Sequence, residues 1–170
     1  SLEDSIIASV MQTNLDLDDK WSAKGVKETK NMMQVALDNA EEGEIIVFPE
    51  TALIFSESEI KDWLDYIKLK AELKEVTLIT GIIEREEGFK VRNRILGLGM
   101  ANSHYDKVKL VPFGEFIPFE ALTGKLFDIL GLRLTNTIPG EQINTINAGN
   151  LRISASICYE IAFSELIRKT

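Results

Sequence analysis

The chain has 170 residues, of which 45% are hydrophobic and 27% charged, and it carries a formal net charge of −8. That is the composition of a folded globular domain, long enough to remove about 65–70% of its unfolded surface from water. Its scattered basic residues argue against a nucleic-acid partner, its single cysteine excludes an internal disulfide and a structural zinc site, and no apolar run approaches the ~18 residues of a membrane helix.

Ser5 to Met11 (SIIASVM) is a short apolar run between polar residues and predicts a buried strand. The polar loop Gln12 to Asp19 follows, with Asp18 and Asp19 as helix-start candidates. Over Trp21 to Glu41, Val26, Met33, Leu37 and Ala40 share a helical face, and Gly43 is placed to stop that helix. Glu44 to Phe48 (EIIVF) is apolar on consecutive positions, as in a strand covered on both faces. Ile60, Trp63, Leu64, Ile67 and Ala71 mark a second amphipathic helix, and Val76 to Ile83 (VTLITGII) a third buried strand. This β-α-β-α-β order implies a parallel sheet flanked by helices, hence an α/β fold.

The pattern then changes to a meander. Glu84 to Gly88 reads as a charged turn, and Arg92 to Met100 and Ser103 to Lys107 read as strands joined at Ala101-Asn102. Leu110 to Phe119 (LVPFGEFIPF) holds two prolines and a glycine and predicts an ordered, irregular loop. Its Phe113, Phe116, Ile117 and Phe119 either plug the core or present an apolar face to an acyl chain or membrane. Leu122 to Leu132 reads as a short helix. Ile143 to Ile146 and Leu151 to Ile157 read as strands paired about a turn at Asn147 to Asn150, and Ile161 to Arg168 as the start of a helix. Trp21 and Trp63 are expected to pack rather than stack on a ligand, and His104, the sole histidine, to lie exposed in a turn.

Open α/β sheets bind ligands at the carboxyl ends of their strands. Three such ends carry reactive groups here: Glu50 after Phe48-Pro49, Lys107 in Tyr105-Asp106-Lys107, and Cys158 in Ile157-Cys158-Tyr159-Glu160. A carboxylate, an ammonium and a thiol suffice for acyl transfer. The thiolate attacks a carbonyl to give a thioester, the carboxylate moves protons, and the ammonium stabilises the oxyanion. A helix starting after Cys158 is expected to favour its thiolate.

The same residues carry a family resemblance. Phe48-Pro-Glu-Thr-Ala52, Tyr105-Asp-Lys107 and Ile157-Cys-Tyr-Glu160 resemble the Glu-Lys-Cys triad of the nitrilase, or carbon–nitrogen hydrolase, superfamily in identity and order. Tyr105 to Phe119, Val10 to Asn14 followed by Trp21, and Pro139-Gly140 are similar to one branch of it, the apolipoprotein N-acyltransferases. Two positions depart from that branch: Ile54 stands where it has proline, and Arg92-Asn93 where it has Tyr-Asn.

The resemblance implies a nitrilase-like α-β-β-α sandwich, with residues 1–170 as a partial catalytic domain incomplete at its C-terminal side. It implies an enzyme of the inner membrane of a bacterium, its catalytic domain on the periplasmic side, anchored through segments not in this chain. The donor would be a phospholipid and the acceptor a diacylated lipoprotein. It makes Glu50 the general base, Lys107 the oxyanion partner and Cys158 the nucleophile, with Glu115 supporting the lysine and Tyr159 and Glu160 neighbours of the thiol. Neither cofactor nor metal is implied. A soluble nitrilase-type amidase and an inactive truncated domain retained for binding or assembly are the alternatives. The start at Ser1 without methionine fits a piece of a longer protein.

Overall fold

The structure is a computed structural model that describes residues 5–87, 90–112, 114–116, 136–163, 165 and 168. Three parallel strands form one half of the main sheet: β1 (Ala8–Val10), β2 (Ile45–Val47) and β3 (Thr77–Glu86). The other half is antiparallel, with β4 (Lys90–Gly99) paired to β3 and β5 (Ser103–Asp106) paired to β4. A two-residue strand, β6 (Asn136–Thr137), joins β4 in parallel. The parallel half followed by a meander is the arrangement expected from the sequence.

Between β1 and β2 run a single turn, α1 (Leu17–Lys20), and the long helix α2 (Ala23–Asn39). The cap of α2 is Ser22, whose hydroxyl accepts from Gly25 N at 3.1 Å, so the start lies beyond Asp18 and Asp19. A Cβ on Gly25 would stand 2.1 Å from Asp19 O, so only glycine lets α1 rest on the first turn of α2. Gly43 is not the helix stop. The helix ends at Asn39 with Ala40 already extended, and Gly43 (φ 77°) instead turns the chain into β2, donating to Glu75 O. A 3-10 turn (Glu57–Ile60) leads into α3 (Lys61–Leu73).

Alternation along the strands gives two cores. Ile46, Leu78, Ile82, Leu96 and Leu98 face the helices and pack on Met33, Leu37, Leu64, Ile67 and Ala71. On the opposite face Ile79 and Tyr105 meet Ile146, Ala148, Ala155 and Ile157. The last four follow a small antiparallel hairpin or belong to it: β7 (Ile146–Ala148) with β8 (Leu151–Ile153). The described layers therefore run helix, sheet, sheet, the first three of an α-β-β-α sandwich.

Other differences from the sequence reading are local. The charged stretch at Glu84 and Arg85 stays within β3, because Lys90 to Asn93 pairs with Ile83 to Glu86 and the hairpin closes later. β7 lies later in the chain than expected and β8, which starts at Leu151 as expected, ends early at Ile153, with the turn at Gly149-Asn150. Trp21 is 56% exposed rather than packed, and His104 is exposed on β5, not in a turn. The helix expected over Leu122 to Leu132 lies outside the described residues, as do Phe113, Ile117 and Phe119; Phe116 is 37% exposed.

Candidate active site

Glu50 is displayed by a bulge. As the chain leaves β2 it continues alongside β3: Gly81 N donates to Pro49 O at 3.3 Å, and Leu53 N donates to Gly81 O at 3.0 Å. Both bonds fall on one residue, so Glu50, Thr51 and Ala52 have no place in the ladder and form a bulge, with Ala52 turned into the core. Thr51 adopts φ 55° to make the turn. A Cβ at position 81 would lie 2.5 Å from Thr51 N and 2.8 Å from Glu50 Cα, so a glycine in this strand is what admits the bulge.

Lys107 follows β5 and is buried, with 1% exposure. Its ammonium donates to Glu115 Oε1 at 2.8 Å, and Asn93 Nδ2 donates to the same oxygen at 2.8 Å. Glu115 Oε2 accepts from Val111 N at 2.8 Å. A buried ammonium without a counter-charge would cost several kcal/mol, and the Glu115 carboxylate supplies that counter-charge to Lys107. With both oxygens engaged, Glu115 serves the lysine rather than acting as a free base.

Cys158 is exposed and sits at φ 52°, a left-handed conformation that costs a non-glycine residue roughly 1–2 kcal/mol. It opens a 3-10 turn (Cys158–Ala162), whose five residues are too short to supply the helix-end charge expected from the sequence. The turn is held from within by Glu160, which is fully buried. Its carboxylate accepts from Tyr105 Oη at 2.9 Å, Val108 N at 2.7 Å, Lys109 N at 2.8 Å and Ile157 N at 2.9 Å. One carboxylate thus ties both residues after Lys107 to the residue before Cys158. Burial and the neighbouring Glu160 charge push the Tyr105 phenol up, so it remains a donor. Tyr159 points outward, 47% exposed, with its ring edge-on to Phe163 at 5.2 Å.

Glu50 and Cys158 line one cavity of about 180 Å³, together with Ile79, Asn93, Arg94 and Ser156. That is below the ~300 Å³ at which clefts begin to enclose a drug-sized ligand, so it accommodates a reacting group and not a whole lipid. Lys107 stands behind the wall, near enough that its charge acts on Glu50. Partial burial raises the Glu50 pKa above its ordinary 4.5, Lys107 and Lys20 oppose this, and Glu115 and Glu160 add to it. The net effect is upward, toward the range of a working base. A larger groove of about 330 Å³ between α3 and β4 contains none of these groups.

Of the six residues singled out from the sequence, Glu50 and Cys158 share the cavity wall, Lys107 and Glu115 form the ion pair behind it, Glu160 braces both segments, and Tyr159 faces solvent. Gly81, Asn93 and Tyr105 were not singled out individually. A glycine inside a strand otherwise rich in β-branched residues is the available signal for the first; the other two depend on partners 22 and 55 residues away.

Residues 7–170 match the family model described as carbon-nitrogen hydrolase. The chain is 30% identical to the apolipoprotein N-acyltransferase of Vibrio parahaemolyticus serotype O3:K6, over 98% of this chain and 35% of that protein. It is 29% identical to that of Shewanella oneidensis, over 97% and 35%. It therefore spans about a third of the length of the curated relatives it matches. Among solved structures, a carbon-nitrogen hydrolase from Helicobacter pylori G27 superposes with a TM-score of 0.63 at 16% identity, covering 97% of this chain and 55% of that one. An amidase from Nesterenkonia sp. AN1, with acrylamide added at its active-site cysteine, gives 0.55 at 17% identity, over 96% and 61%. With a family model matched over nearly its whole length and the fold shared with solved members, the chain belongs to the carbon–nitrogen hydrolase family.

Proposed function

We propose that this chain is part of the catalytic domain of an acyltransferase that moves a fatty acyl chain from a phospholipid, through a thioester on Cys158, to the N-terminal amine of a lipoprotein's diacylglyceryl-cysteine. The observation that carries this reading is the single small cavity walled by Glu50 and Cys158, with the Lys107 charge held behind it. The similarity to apolipoprotein N-acyltransferases over 98% of the chain supports the choice of reaction. The remaining part of the domain, and the segments that anchor it to the periplasmic side of a bacterial inner membrane, belong to the rest of the protein.

In the first half-reaction Glu50 accepts the thiol proton of Cys158 as sulfur attacks the ester carbonyl of the phospholipid. Lys107 stabilises the oxyanion of the tetrahedral intermediate. The intermediate collapses with cleavage of the carbon–oxygen bond, and Glu50 returns its proton to the departing glyceryl oxygen, which leaves lysophospholipid and the acyl-thioester. In the second, the lipoprotein amine attacks the thioester and gives its proton to Glu50. The carbon–sulfur bond breaks as Glu50 passes that proton to the departing sulfur, so an amide is formed and both the thiol and the Glu50 carboxylate are regenerated. A base held above the ordinary glutamate range suits both transfers.

Mass spectrometry of the intact protein incubated with phospholipid tests this. One acyl adduct at Cys158, absent from Cys158→Ser and discharged by a diacylated lipopeptide onto its amine, is the expected result. An adduct elsewhere would overturn the nucleophile; discharge to water alone would make the protein an amidase-type hydrolase.

A further inference from the structure

The charges around the cavity are unevenly spent. Arg94 lines it but is committed: Nε and Nη2 donate to Asp106 at 2.6 and 3.0 Å, and Nη1 donates to Glu57 at 2.7 Å. Lys107 is committed to Glu115. Lys20 is the exception. It closes α1, and its ammonium makes no ion pair among the described residues; its nearest acceptor is Glu50 O, at a long 3.4 Å. An ammonium has three donors, so most of its hydrogen-bonding capacity is uncommitted among the described residues, at the bulge that carries Glu50. Its place is built in, because α1 rests on Gly25, where a Cβ would come within 2.1 Å of Asp19 O, and Lys20 N donates to Asp16 O at 2.9 Å. The Glu50 carboxylate feels this charge as well as that of Lys107.

A chain of net charge −8 repels anions at long range, so an uncommitted cation beside the cavity counts for more than it would on a neutral protein. In a glycerophospholipid the anionic phosphodiester lies only a few bonds from the ester carbonyl. A carbonyl seated at Cys158 therefore leaves the phosphate near the rim where Glu50 and Lys20 stand. We propose that Lys20 is a specificity-determining residue that binds the phosphodiester of the acyl donor while its ester carbonyl occupies the Glu50–Cys158 cavity. This rests on the acyl-transfer reading above. Lysine serves phosphate as a point charge without demanding one orientation, which suits a headgroup of variable chemistry.

The test compares two donors of the same acyl chain in the intact protein: a diacyl glycerophospholipid and the uncharged p-nitrophenyl ester. Acylation of Cys158 is followed by mass spectrometry against donor concentration for wild type, Lys20→Gln and Lys20→Arg. Removing Lys20 also alters Glu50 electrostatically, but that effect is common to both donors and cancels in their ratio. Lys20→Gln is expected to lower the preference for the phospholipid about tenfold, the value of one charged hydrogen bond, chiefly through the half-saturating concentration. Lys20→Arg is expected to recover most of it. Equal losses with both donors, or an unchanged ratio, would overturn the assignment of Lys20 while leaving the acyl-transfer reading intact. If wild type acylates Cys158 from the neutral ester but not from phospholipid, the donor class itself is wrong and this proposal goes with it.

Discussion

The Lys107 ammonium lies 2.8 Å from Glu115 Oε1 with 1% of its own side chain exposed, so this charge is buried beside one dedicated counter-ion. Such a pair is costly to break from one side. Glu115→Gln should destabilise the protein by about 3–5 kcal/mol, because it strands an ammonium in the interior. Replacing both partners, with Lys107→Met added, should recover much of that loss while leaving the protein unable to acylate. Urea midpoints of the two single variants and the double variant measure this; additive losses would show that the two side chains do not act as a pair.

Gly81 makes an equally specific prediction. In Gly81→Ala the new methyl meets the backbone of Pro49, Glu50 and Thr51, atoms that cannot rotate away. Stability should fall by roughly 1–3 kcal/mol, as for an overpacked interior. Cys158 acylation should fall further than the unfolded fraction explains, since the bulge carries Glu50, the proposed base. Adduct formation measured well below the melting temperature separates the two effects.

The elevated pKa of Glu50 gives a pH dependence with a definite sign. Burial disfavours its anion, so the folded-state value lies above the ordinary 4.5. The acid limb of acylation against pH should therefore fall above that value. In stability the sign is opposite: a raised carboxyl pKa contributes stability at low pH that is lost as pH rises through the folded value. Glu50→Gln should thus be inactive yet slightly more resistant to denaturant than wild type at pH 7, with the advantage gone near pH 4. An acid limb at or below 4.5 would contradict this account of Glu50.

Cys158 offers a second case of the same kind. Its φ of 52° is tolerated by glycine at little cost. Cys158→Gly should keep or raise the melting temperature, by up to ~1 kcal/mol of stability, whereas most catalytic-site truncations lower it. Thermal unfolding of that variant beside Cys158→Ser, which retains the strain, is the measurement.

Much of this was legible in the chain because it is written locally. Consecutive apolar positions at Ile45 to Phe48 and Val76 to Ile83 mark strands covered on both faces, and the Met33–Leu37 and Leu64–Ile67–Ala71 spacings mark the helices that cover them. Glu50 and Lys107, just beyond β2 and β5, also announce themselves, whereas β8 ends at Ile153, well before Cys158. What depends on distant partners does not. That Glu160 turns inward while Tyr159 turns out is decided by Tyr105, Val108 and Lys109, some fifty residues earlier. That Glu50 protrudes at all follows from two hydrogen bonds to Gly81. Gly43 misled for a related reason: Glu75 O, across the fold, holds it in the entry to β2.

Because Glu160 grips the main chain on both the lysine and the cysteine sides, the two segments are riveted at one point. A displacement of either segment therefore carries the other with it, and the Lys107 charge and the Cys158 sulfur keep their separation.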